Sequence, residues 1–387
     1  MSRYYSYFNT AVNFVRSYRY DEPFASFLKK QFAADKKFGS RDRKTIAHLC
    51  YCYFRMGHLM ESESVQDRMI TGLFLCSGSK SEMLLLANPD WNEKAELPIH
   101  EKLQLLHLKA TDLFPFVDEL SEGVDVEAFC NSHFTQPDLF LRIRPGNKET
   151  VLQKLNTAGI EVELIGNNCI ALPNNTKIDE LLLLNKEAVV QDNSSQKAGE
   201  LLLNLQFEAH NGKVHVWDCC AASGGKSIMT KDVMGDVDLT VSDIRESILV
   251  NLKKRFAEAG IKNYKSFVAD LSSPLITHHA LYDLIIADVP CSGSGTWGRT
   301  PEYLSSFSKE QLTHYSQLQQ KIITNIIPQL SEHGYLLYIT CSVYKKENEE
   351  MINLLQQQYG LQLIEMKLLK GYEQKADSMF AALLKRS

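Results

Sequence analysis

The 387-residue sequence predicts an α/β protein that begins with a helical region, and three observations indicate this class. Apolar residues recur at three- and four-residue spacing over about the first 125 residues, which is typical of amphipathic helices. From about residue 197 onward, short apolar strands alternate with helices, and this rhythm predicts a mostly parallel sheet with helices on both faces. Three short strands and one helix lie between these regions. We therefore predict three domains, over residues 1–125, 126–196 and 197–387.

The composition is that of a folded globular protein. Hydrophobic residues make up 44% and charged residues 23% of the chain, so extensive disorder is not expected. No apolar run approaches the roughly 20 residues that a membrane helix requires, and the N-terminus lacks the apolar segment of a secretory signal. We therefore expect a cytoplasmic protein that does not contact a membrane, and we take it to be a monomer.

Nine cysteines are present, and no pair has the Cys-x-x-Cys spacing of zinc sites. The odd number and the reducing cytosol argue against a disulfide framework, and we expect no bound metal. Five cysteines in apolar or mixed surroundings are predicted to fill the core: Cys50, Cys52, Cys76, Cys130 and Cys169. The other four, Cys219, Cys220, Cys291 and Cys341, come where predicted strands end.

The N-terminal helices are predicted from FASFLKKQFAADKKF and RKTIAHLCYCYFRMGHLM. Residues 1–60 carry 11 Lys and Arg against 4 Asp and Glu, whereas residues 61–130 carry 5 against 14. A basic segment of this kind can contact phosphate groups even though the net charge of the whole chain is −5. It can equally be a solvated helix surface, and charge alone leaves both interpretations open.

A strand and helix pattern follows from residue 126. Strands are predicted over LFLRIRPG, IEVELIG and CIALP, and a helix that ends at Gly159 is predicted over ETVLQKLNTAG. Farther on, the predicted strands are VHVWD, DLTVSD, KSFVAD, YDLIIADVP and HGYLLYITCS, and helices are predicted after GGKS and over ILVNLKKRFAEAG, QLQQKIITNIIPQL and KENEEMINLLQQQYG. In such sheets ligands bind beyond the carboxyl ends of the strands. The polar residues at those ends are therefore the candidate functional residues.

The first of these C-terminal strands runs into DCCAASGGKS (Asp218–Ser227), whose small residues would let the backbone approach a ligand at a helix N-terminus. A dinucleotide fingerprint needs Gly-x-Gly-x-x-Gly, which is absent, and a P-loop needs Gly at the position of Cys220. The third interpretation is a loop that binds S-adenosylmethionine. Asp243, Asp270 and Asp288 at later strand ends favour it, because a carboxylate at the second strand end suits ribose hydroxyls. Any one of these aspartates could instead cap a helix.

Two cysteines lie at predicted strand ends. Cys291 is in DVPCSGSG, where Pro290 fixes the turn and the glycines would leave room for a flat substrate. Cys341 is in YITCS. A cysteine in a cleft is a nucleophile when nearby positive charge favours its thiolate. Either cysteine alone would more often be an inert small hydrophobic residue, but two at one edge of the sheet favour function.

Five segments resemble, in their order and separation, motifs of the RNA cytosine-5 methyltransferases of the Fmu/Sun (RsmB-like, NOL/NOP/Sun) family. These segments are DCCAASGGKS, VSD, VAD, DVPCSGSG and YITCS. The resemblance extends over residues 126–387 through three further segments, VVQDNSS, Lys346–Glu349 and DSMFAALLK. The N-terminal region resembles the NusB-type RNA-binding domain in the segment SRDRKTIAHLCYCYFR. The resemblance implies a Rossmann-like class I methyltransferase domain, a small α/β RNA-binding subdomain and an N-terminal all-helical NusB-like domain. Ser223 and Val289 stand where the family usually has Pro and Ala, but no thiol or strand-end carboxylate is missing.

The resemblance also implies roles for individual residues. Cys341 would be the nucleophile that adds to carbon-6 of cytosine, and Cys291 would assist release of the product. Asp288 would hold or protonate the ring near N3, and Lys226 would orient Asp288 or touch the base. The implied cofactor is S-adenosylmethionine, and the residues assigned to it are Cys220, Ala221, Ala222, Ser223, Gly224, Gly225, Lys226, Asp243, Asp270 and Asp288.

The implied substrate is ribosomal RNA in a single-stranded or loop form, because the target base must leave its stack. Arg142, Arg144 and the basic N-terminal segment could supply phosphate contacts, and tyrosines such as Tyr5 and Tyr18 could stack on bases or fill the helix core. The alternative function is a non-catalytic RNA-binding or ribosome-assembly factor that retains the cofactor pocket. A P-loop hydrolase fits less well because of Cys220, and a DNA cytosine methyltransferase needs only one thiol.

Overall fold

The computed structural model describes residues 3–35, 37–203, 205–207, 212–274 and 280–386. Contacts divide the chain into two compact units. The first, which we call the helical unit, comprises Met1–Asp118, Asp125–Gln136 and Thr296–Lys309, and the second, the sheet unit, comprises Glu119–Val124, Pro137–Gly295 and Glu310–Ser387. A short segment after the Cys291 loop therefore belongs to the helical unit, which the sequence pattern did not indicate. The division into three domains stays a prediction.

The helices of the described residues are α1 (Arg3–Ser17), α2 (Phe24–Ala34), α3 (Ser40–Phe54), α4 (Val65–Cys76), α5 (Glu82–Ala87), α6 (Pro89–Glu93), α7 (Ile99–Leu105), α8 (Val126–Ser132), α9 (Lys148–Thr157), α10 (Asn193–Ala198), α11 (Gly225–Met234), α12 (Glu246–Glu258), α13 (Tyr303–Ser306), α14 (Lys309–Ile326) and α15 (Glu349–Tyr359). Within the described ranges, no helix combines the length and the apolar character that crossing a bilayer requires.

The strands of the described residues are β1 (Leu139–Ile143), β2 (Glu163–Ile165), β3 (Cys169–Leu172), β4 (Ala188–Val190), β5 (His215–Asp218), β6 (Asp238–Asp243), β7 (Tyr264–Val268), β8 (Tyr282–Asp288), β9 (Leu330–Thr340), β10 (Gln362–Leu369) and β11 (Met379–Lys385).

The helical unit has an aromatic core. Tyr18, Phe24 and Phe54 are buried, and the ring centroids of Phe24 and Phe54 lie 4.6 Å apart. Edge-to-face pairs of this kind add roughly 0.5–1.5 kcal/mol each beyond the burial of their surface. Tyr18 is thus a core residue, whereas Tyr5 is exposed. The predicted helical N-terminal region is confirmed, and it fits a NusB-like domain.

Helices α3 and α4 approach each other closely at a glycine. Gly72 in α4 faces the backbone of α3, and a Cβ atom at position 72 would lie 2.2 Å from the carbonyl oxygen of Cys52. The contact between these two helices therefore depends on a residue without a side chain. The start of α4 is fixed separately by Ser64, whose hydroxyl oxygen accepts a hydrogen bond from the backbone N–H of Asp67 at 3.1 Å.

The small sheet of the sheet unit has the strand order β2-β3-β1-β4, and its neighbouring strands are antiparallel. Helix α9 covers it by packing Val151 and Leu155 among the buried side chains of Leu141 and Ile170. The predicted strands and helix of this region are confirmed. Strand β2 is shorter than IEVELIG suggests, because it is an edge strand with a partner on one side only.

The large sheet has the strand order β10-β11-β9-β8-β5-β6-β7. The neighbours from β9 to β7 are parallel, and β11 is antiparallel to β9 and β10. Successive residues of β5 point to opposite faces, where Val216 packs with Leu252 of α12 and Trp217 packs with Ile322 of α14. This confirms the predicted Rossmann-like α/β class. Strand β10 was not predicted, since it is a mostly exposed edge strand with weak alternation of apolar residues.

The strand order determines which residues meet. Strand β5 lies between β6 and β8, and β9 lies beyond β8, so these four strands run parallel and end at one edge of the sheet. Their last residues are Asp243, Asp218, Asp288 and Thr340, in that order along the edge. The chain reverses its order of strands between β5 and β8, which is where ligands bind in sheets of this kind.

We expect Gly72→Ala to lower the free energy of unfolding by up to about 2 kcal/mol, which is the usual cost of an overpacked contact, about 1–3 kcal/mol, less the gain in helix propensity. The added methyl group must push α4 away from α3, and this outweighs the gain in helix propensity of about 0.8–1.0 kcal/mol. Urea unfolding followed by circular dichroism measures the change. Gly78→Ala is the matched control, because nothing lies within 4 Å of the atom added there. Equal stability of the two variants would contradict the close packing.

Candidate active site

The turn after β5 requires small residues because it passes close to α12 and to the end of β6. Gly224 has a left-handed backbone (φ +83°), and a Cβ atom there would lie 2.6 Å from the ring of Phe256. Ala222 also has a positive φ of 45°, and its backbone N–H donates to a carboxylate oxygen of Asp243 at 3.0 Å. The turn is therefore held in place from both sides.

A cavity of about 480 Å³ opens at this edge of the sheet, within the usual size range of small-molecule sites. Five of the residues assigned to the cofactor line it: Cys220, Ala222, Asp243, Asp270 and Asp288. The other five form the turn or begin α11 and are not part of its wall: Ala221, Ser223, Gly224, Gly225 and Lys226. The apolar part of the wall includes Ile244, Leu271, Val289, Pro290 and Leu318. No sequence signal separates these residues from ordinary core residues.

The charges of the wall suit a cation that carries hydroxyl groups. Three carboxylates line the cavity, and Arg245 donates to one of them, Asp243, from its backbone N–H at 2.9 Å and its Nε at 3.1 Å. A carboxylate can accept further hydrogen bonds, and the negative charge would repel a polyphosphate. S-adenosylmethionine, with a sulfonium ion, a ribose and a flat base, fits this donor and acceptor set. Among the described residues, no three His, Cys, Asp or Glu side chains group as a metal site requires.

Lys226 and Ser227 are engaged within the protein and are not available to a phosphate group. The Lys226 ammonium donates to Asp288 at 3.0 Å and to the hydroxyl of Ser195 at 2.8 Å, and Lys226 is only 8% exposed. The Ser227 hydroxyl donates to Asp218 at 2.5 Å. The geometry therefore argues against the P-loop interpretation. Ser195 belongs to the VVQDNSS segment, for which the sequence suggested no role.

Lys226 is a buried cation of the site. Burial disfavours its charged form, but its interactions with Asp288 and Cys341 outweigh burial and raise the pKa of the lysine above its ordinary value. Lys226 therefore remains an ammonium ion that is paired with the carboxylate at the end of β8.

Cys291 and Cys341 lie side by side. The backbone N–H of Cys341 donates to the sulfur atom of Cys291 at 3.3 Å, across 50 residues of sequence, and both cysteines are partly exposed. The hydrogen bond with the Cys341 side chain, burial and the charge of Glu347 raise the pKa of the Cys291 thiol well above its ordinary value. The fold thus brings the two cysteines together, and the raised pKa favours the protonated form of the Cys291 thiol.

Gly295 serves close packing and does not leave room for a substrate. Its N–H donates to the carbonyl oxygen of Cys341 at 2.9 Å, and its own carbonyl accepts from the N–H of Ser378 at 2.8 Å. A Cβ atom at position 295 would lie 1.9 Å from the carbonyl oxygen of Ser378. The Cys291 loop is thereby joined to the end of β9 and to the start of β11.

The two strand arginines are engaged inside the sheet unit. Arg142 donates to Asp232 at 2.6 Å and to Gln191 at 2.7 Å, and Arg144 donates to Asp232 at 2.8 Å and to two backbone carbonyl groups. These bonds join the small sheet to α11. The pairing with Asp232 therefore argues against the expectation that Arg142 and Arg144 supply phosphate contacts to RNA.

The C-terminal part of the chain matches known proteins. The family model for 16S rRNA methyltransferase RsmB/F matches residues 202–384. The probable ribosomal RNA small subunit methyltransferase B of Bacillus subtilis (strain 168) is 26% identical over 239 residues, which are 60% of this chain and 52% of that protein. The chain thus spans about half the length of this relative and of the ribosomal RNA small subunit methyltransferase B of Proteus mirabilis (strain HI4320).

Solved structures share the fold. The crystal structure of PH0851 has a TM-score of 0.73 at 18% sequence identity and covers 100% of both chains. The structure of NSun6 from Pyrococcus horikoshii with SFG has a TM-score of 0.58 at 13% identity, over 68% of this chain and 94% of that one. At these identities the similarity concerns the fold alone.

Asp218 is a buried carboxyl group with an incomplete set of partners. One oxygen accepts from Ser227, and the other has no hydrogen-bond partner among the described residues. Burial, opposed in part by the Ser227 hydroxyl, raises the pKa of Asp218 from 3.8 to about 7. A pKa that is raised on folding contributes stability that is complete below the unfolded pKa and is lost as the pH rises through the folded pKa.

We therefore expect wild-type protein to lose unfolding free energy between about pH 4 and pH 8, and Asp218→Asn to lose less, because the amide does not titrate. Urea unfolding of both proteins across this range measures the difference. Asp270→Asn, which removes an exposed carboxylate at the same edge of the sheet, is the control. Identical pH dependence of wild type and Asp218→Asn would contradict the assignment.

Proposed function

We propose that the protein is an S-adenosylmethionine-dependent RNA cytosine-5 methyltransferase, since the family model for 16S rRNA methyltransferase RsmB/F matches residues 202–384. The observation that carries the proposal is the contact between Cys291 and Cys341 beside the Lys226–Asp288 ion pair. Two thiols, a carboxylate and a cation are the groups that reversible addition to carbon-6 of cytosine requires.

The cofactor would occupy the cavity at the ends of β5, β6 and β8. Asp243 is the candidate for the ribose hydroxyls, and Asp270 and Asp288 supply further acceptors for a cationic ligand. When bound, S-adenosylmethionine supplies an electrophilic methyl group for carbon-5 of the base. The NSun6 structure with SFG, an analogue of this cofactor, supports the choice.

Cys341 is the proposed nucleophile. Its thiolate forms a bond to carbon-6, the electrons of the double bond between carbon-5 and carbon-6 move toward N3, and carbon-5 becomes nucleophilic. Lys226 interacts electrostatically with Cys341, and positive charge near a thiol favours its thiolate. The resemblance of DVPCSGSG and YITCS to the Fmu/Sun family assigns the attack to Cys341 and not to Cys291.

Asp288 and Cys291 would act on the same ring. We assign to Asp288 the contact that holds the ring near N3, where a proton taken up on addition neutralises the charge that addition creates, and Lys226 holds the carboxylate in position. Once carbon-5 carries the methyl group and has lost its proton to solvent, the bond between sulfur and carbon-6 breaks, the ring double bond re-forms, N3 gives its proton back and Cys341 leaves as a thiolate. Cys291, in contact with Cys341, would assist this release.

The proposed substrate is ribosomal RNA, as the names of the family and of the Bacillus subtilis relative suggest. The target cytosine must be unstacked to reach the cysteines, so a single strand or loop is the suitable form. Exposed basic residues of α2 and α3 remain as candidates for phosphate contacts: Lys29, Lys30, Arg41, Arg43 and Lys44. The cytoplasmic location and the monomeric state stay predictions.

Calorimetry tests the cofactor site. We expect Asp243→Ala to weaken S-adenosylmethionine binding by about 10- to 100-fold, since hydrogen bonds to charged groups contribute about 1.5–3 kcal/mol. Asp238→Ala removes a carboxylate from the opposite end of the same strand and should bind like wild type. Unchanged affinity of Asp243→Ala would exclude this role. No binding by wild type at millimolar cofactor would favour the non-catalytic RNA-binding factor.

Cysteine variants test the chemistry. Cys341→Ala should lower methyl transfer to ribosomal RNA by about 10³-fold or more, as is usual when a nucleophile is removed from a cooperating set. Cys291→Ala should accumulate a covalent protein–RNA adduct on a denaturing gel, because the group that assists release is missing. Bisulfite sequencing of the RNA identifies the methylated cytosine.

Cys76→Ala, which removes a partly exposed thiol of the helical unit, is the control and should behave like wild type. Full activity of Cys341→Ala would end its assignment as the nucleophile. Absence of an adduct with Cys291→Ala would remove the release role.

A further inference from the structure

A buried carboxylate outside the proposed reacting groups connects the two cysteine loops. Glu347 has no exposed surface and lies between the end of β9 and the start of α15. Its Oε1 accepts from the backbone N–H of Ser292 and from the amide of Gln319, both at 2.9 Å. Its Oε2 accepts from the hydroxyls of Ser292 and Ser342, both at 2.5 Å.

The two serines are the immediate neighbours of the two cysteines. Ser292 follows Cys291 and Ser342 follows Cys341, so a single carboxylate is hydrogen-bonded to both loops. The hydroxyl oxygen of Ser294 lies 3.2 Å from that of Ser342 and adds a second link between the loops. The separation of the two sulfur atoms therefore depends on how these loops are held together.

We propose that Glu347 is a positioning residue that holds the Cys291 and Cys341 sulfur atoms at the separation at which both can act on one pyrimidine. The proposal deepens the proposed function and rests on it for the identity of the base. Glu347 is not one of the reacting groups, because its two oxygens are occupied by four donors and it is shielded from solvent.

The chemistry of the four bonds explains why a carboxylate is needed. Both oxygens act only as acceptors, and each accepts two hydrogen bonds. A glutamine presents one acceptor oxygen and one donor NH₂ group, so it can satisfy only one of the two pairs of donors without a change in their orientation. Glu347→Gln therefore keeps the size of the side chain, but on one side the donors must turn and become acceptors, which changes how the two loops are held.

The first test measures the distance between the sulfur atoms without cofactor or RNA. Full-length protein is treated with dibromobimane, which becomes fluorescent when two nearby thiols have displaced both bromides, and peptide mass spectrometry quantifies the Cys291–Cys341 cross-link. We expect the yield in Glu347→Gln to fall about fivefold or more, because the rigid linker tolerates little change in separation. Glu349→Gln is the matched control, since this nearby carboxylate bonds to Ser121 and not to the cysteine loops.

The second test measures turnover. Since a misplacement of about 1 Å can cost about 10²-fold in rate, we expect kcat of Glu347→Gln to fall by about 10- to 100-fold with little change in KM for RNA. Cofactor affinity by calorimetry should match wild type, because Glu347 is not part of the cavity wall. Ser342→Ala removes one of the four bonds and should move both readouts in the same direction to a smaller extent, which keeps the test informative if Glu347→Gln does not fold.

An unchanged cross-link yield in folded Glu347→Gln, or an equal loss in Glu349→Gln, would overturn the positioning role. The cross-link needs no methyl transfer, so the two proposals can fail separately. If wild type methylates no RNA but the yield still falls in Glu347→Gln alone, the proposed function is wrong and the link between the loops stands.

Discussion

The parallel pairing of β5 with β6 and β8, and of β8 with β9, is the constraint on which the site depends. Parallel strands connected by helices end at the same edge, so residues that are far apart in sequence meet without any long loop. Asp243, Asp288 and Cys341 come to the same edge of the sheet in this way. The switch in strand order between β5 and β8 opens the cavity beside them.

Three acidic side chains at this edge of the sheet are accommodated by three different interactions. Asp288 is neutralised by the ammonium group of Lys226, and Glu347 accepts from four neutral donors. Asp218 has one oxygen for which the described part of the chain offers no partner, and its pKa is raised to about 7. A buried charge is costly unless it is paired or hydrogen-bonded. The ion pair keeps the Asp288 carboxylate oriented, the bonds of Glu347 join the two cysteine loops, and the raised pKa of Asp218 makes the stability of the fold depend on pH.

The comparisons and the geometry support different parts of the proposed function. Similarity to solved structures concerns the fold, and the match of residues 202–384 to the 16S rRNA methyltransferase RsmB/F model concerns the kind of reaction. The cytosine-5 chemistry rests on the two sulfur atoms and the Lys226–Asp288 pair of this chain. Because Arg142 and Arg144 are bonded to Asp232, the exposed basic residues of α2 and α3 are the better candidates for RNA contacts.

The sequence by itself determined the α/β class, the helical N-terminal region and the strand ends on which Asp243, Asp288 and both cysteines lie, because hydrophobic period and small-residue turns are local properties. It did not separate the wall of the cavity from the turn that supports it, nor reveal the mostly exposed strand β10. The tertiary structure alone decided that Gly295 packs against Ser378 and that Glu347 bonds to the residues after both cysteines. These contacts join segments that are distant along the chain, and no local pattern encodes the distance between them.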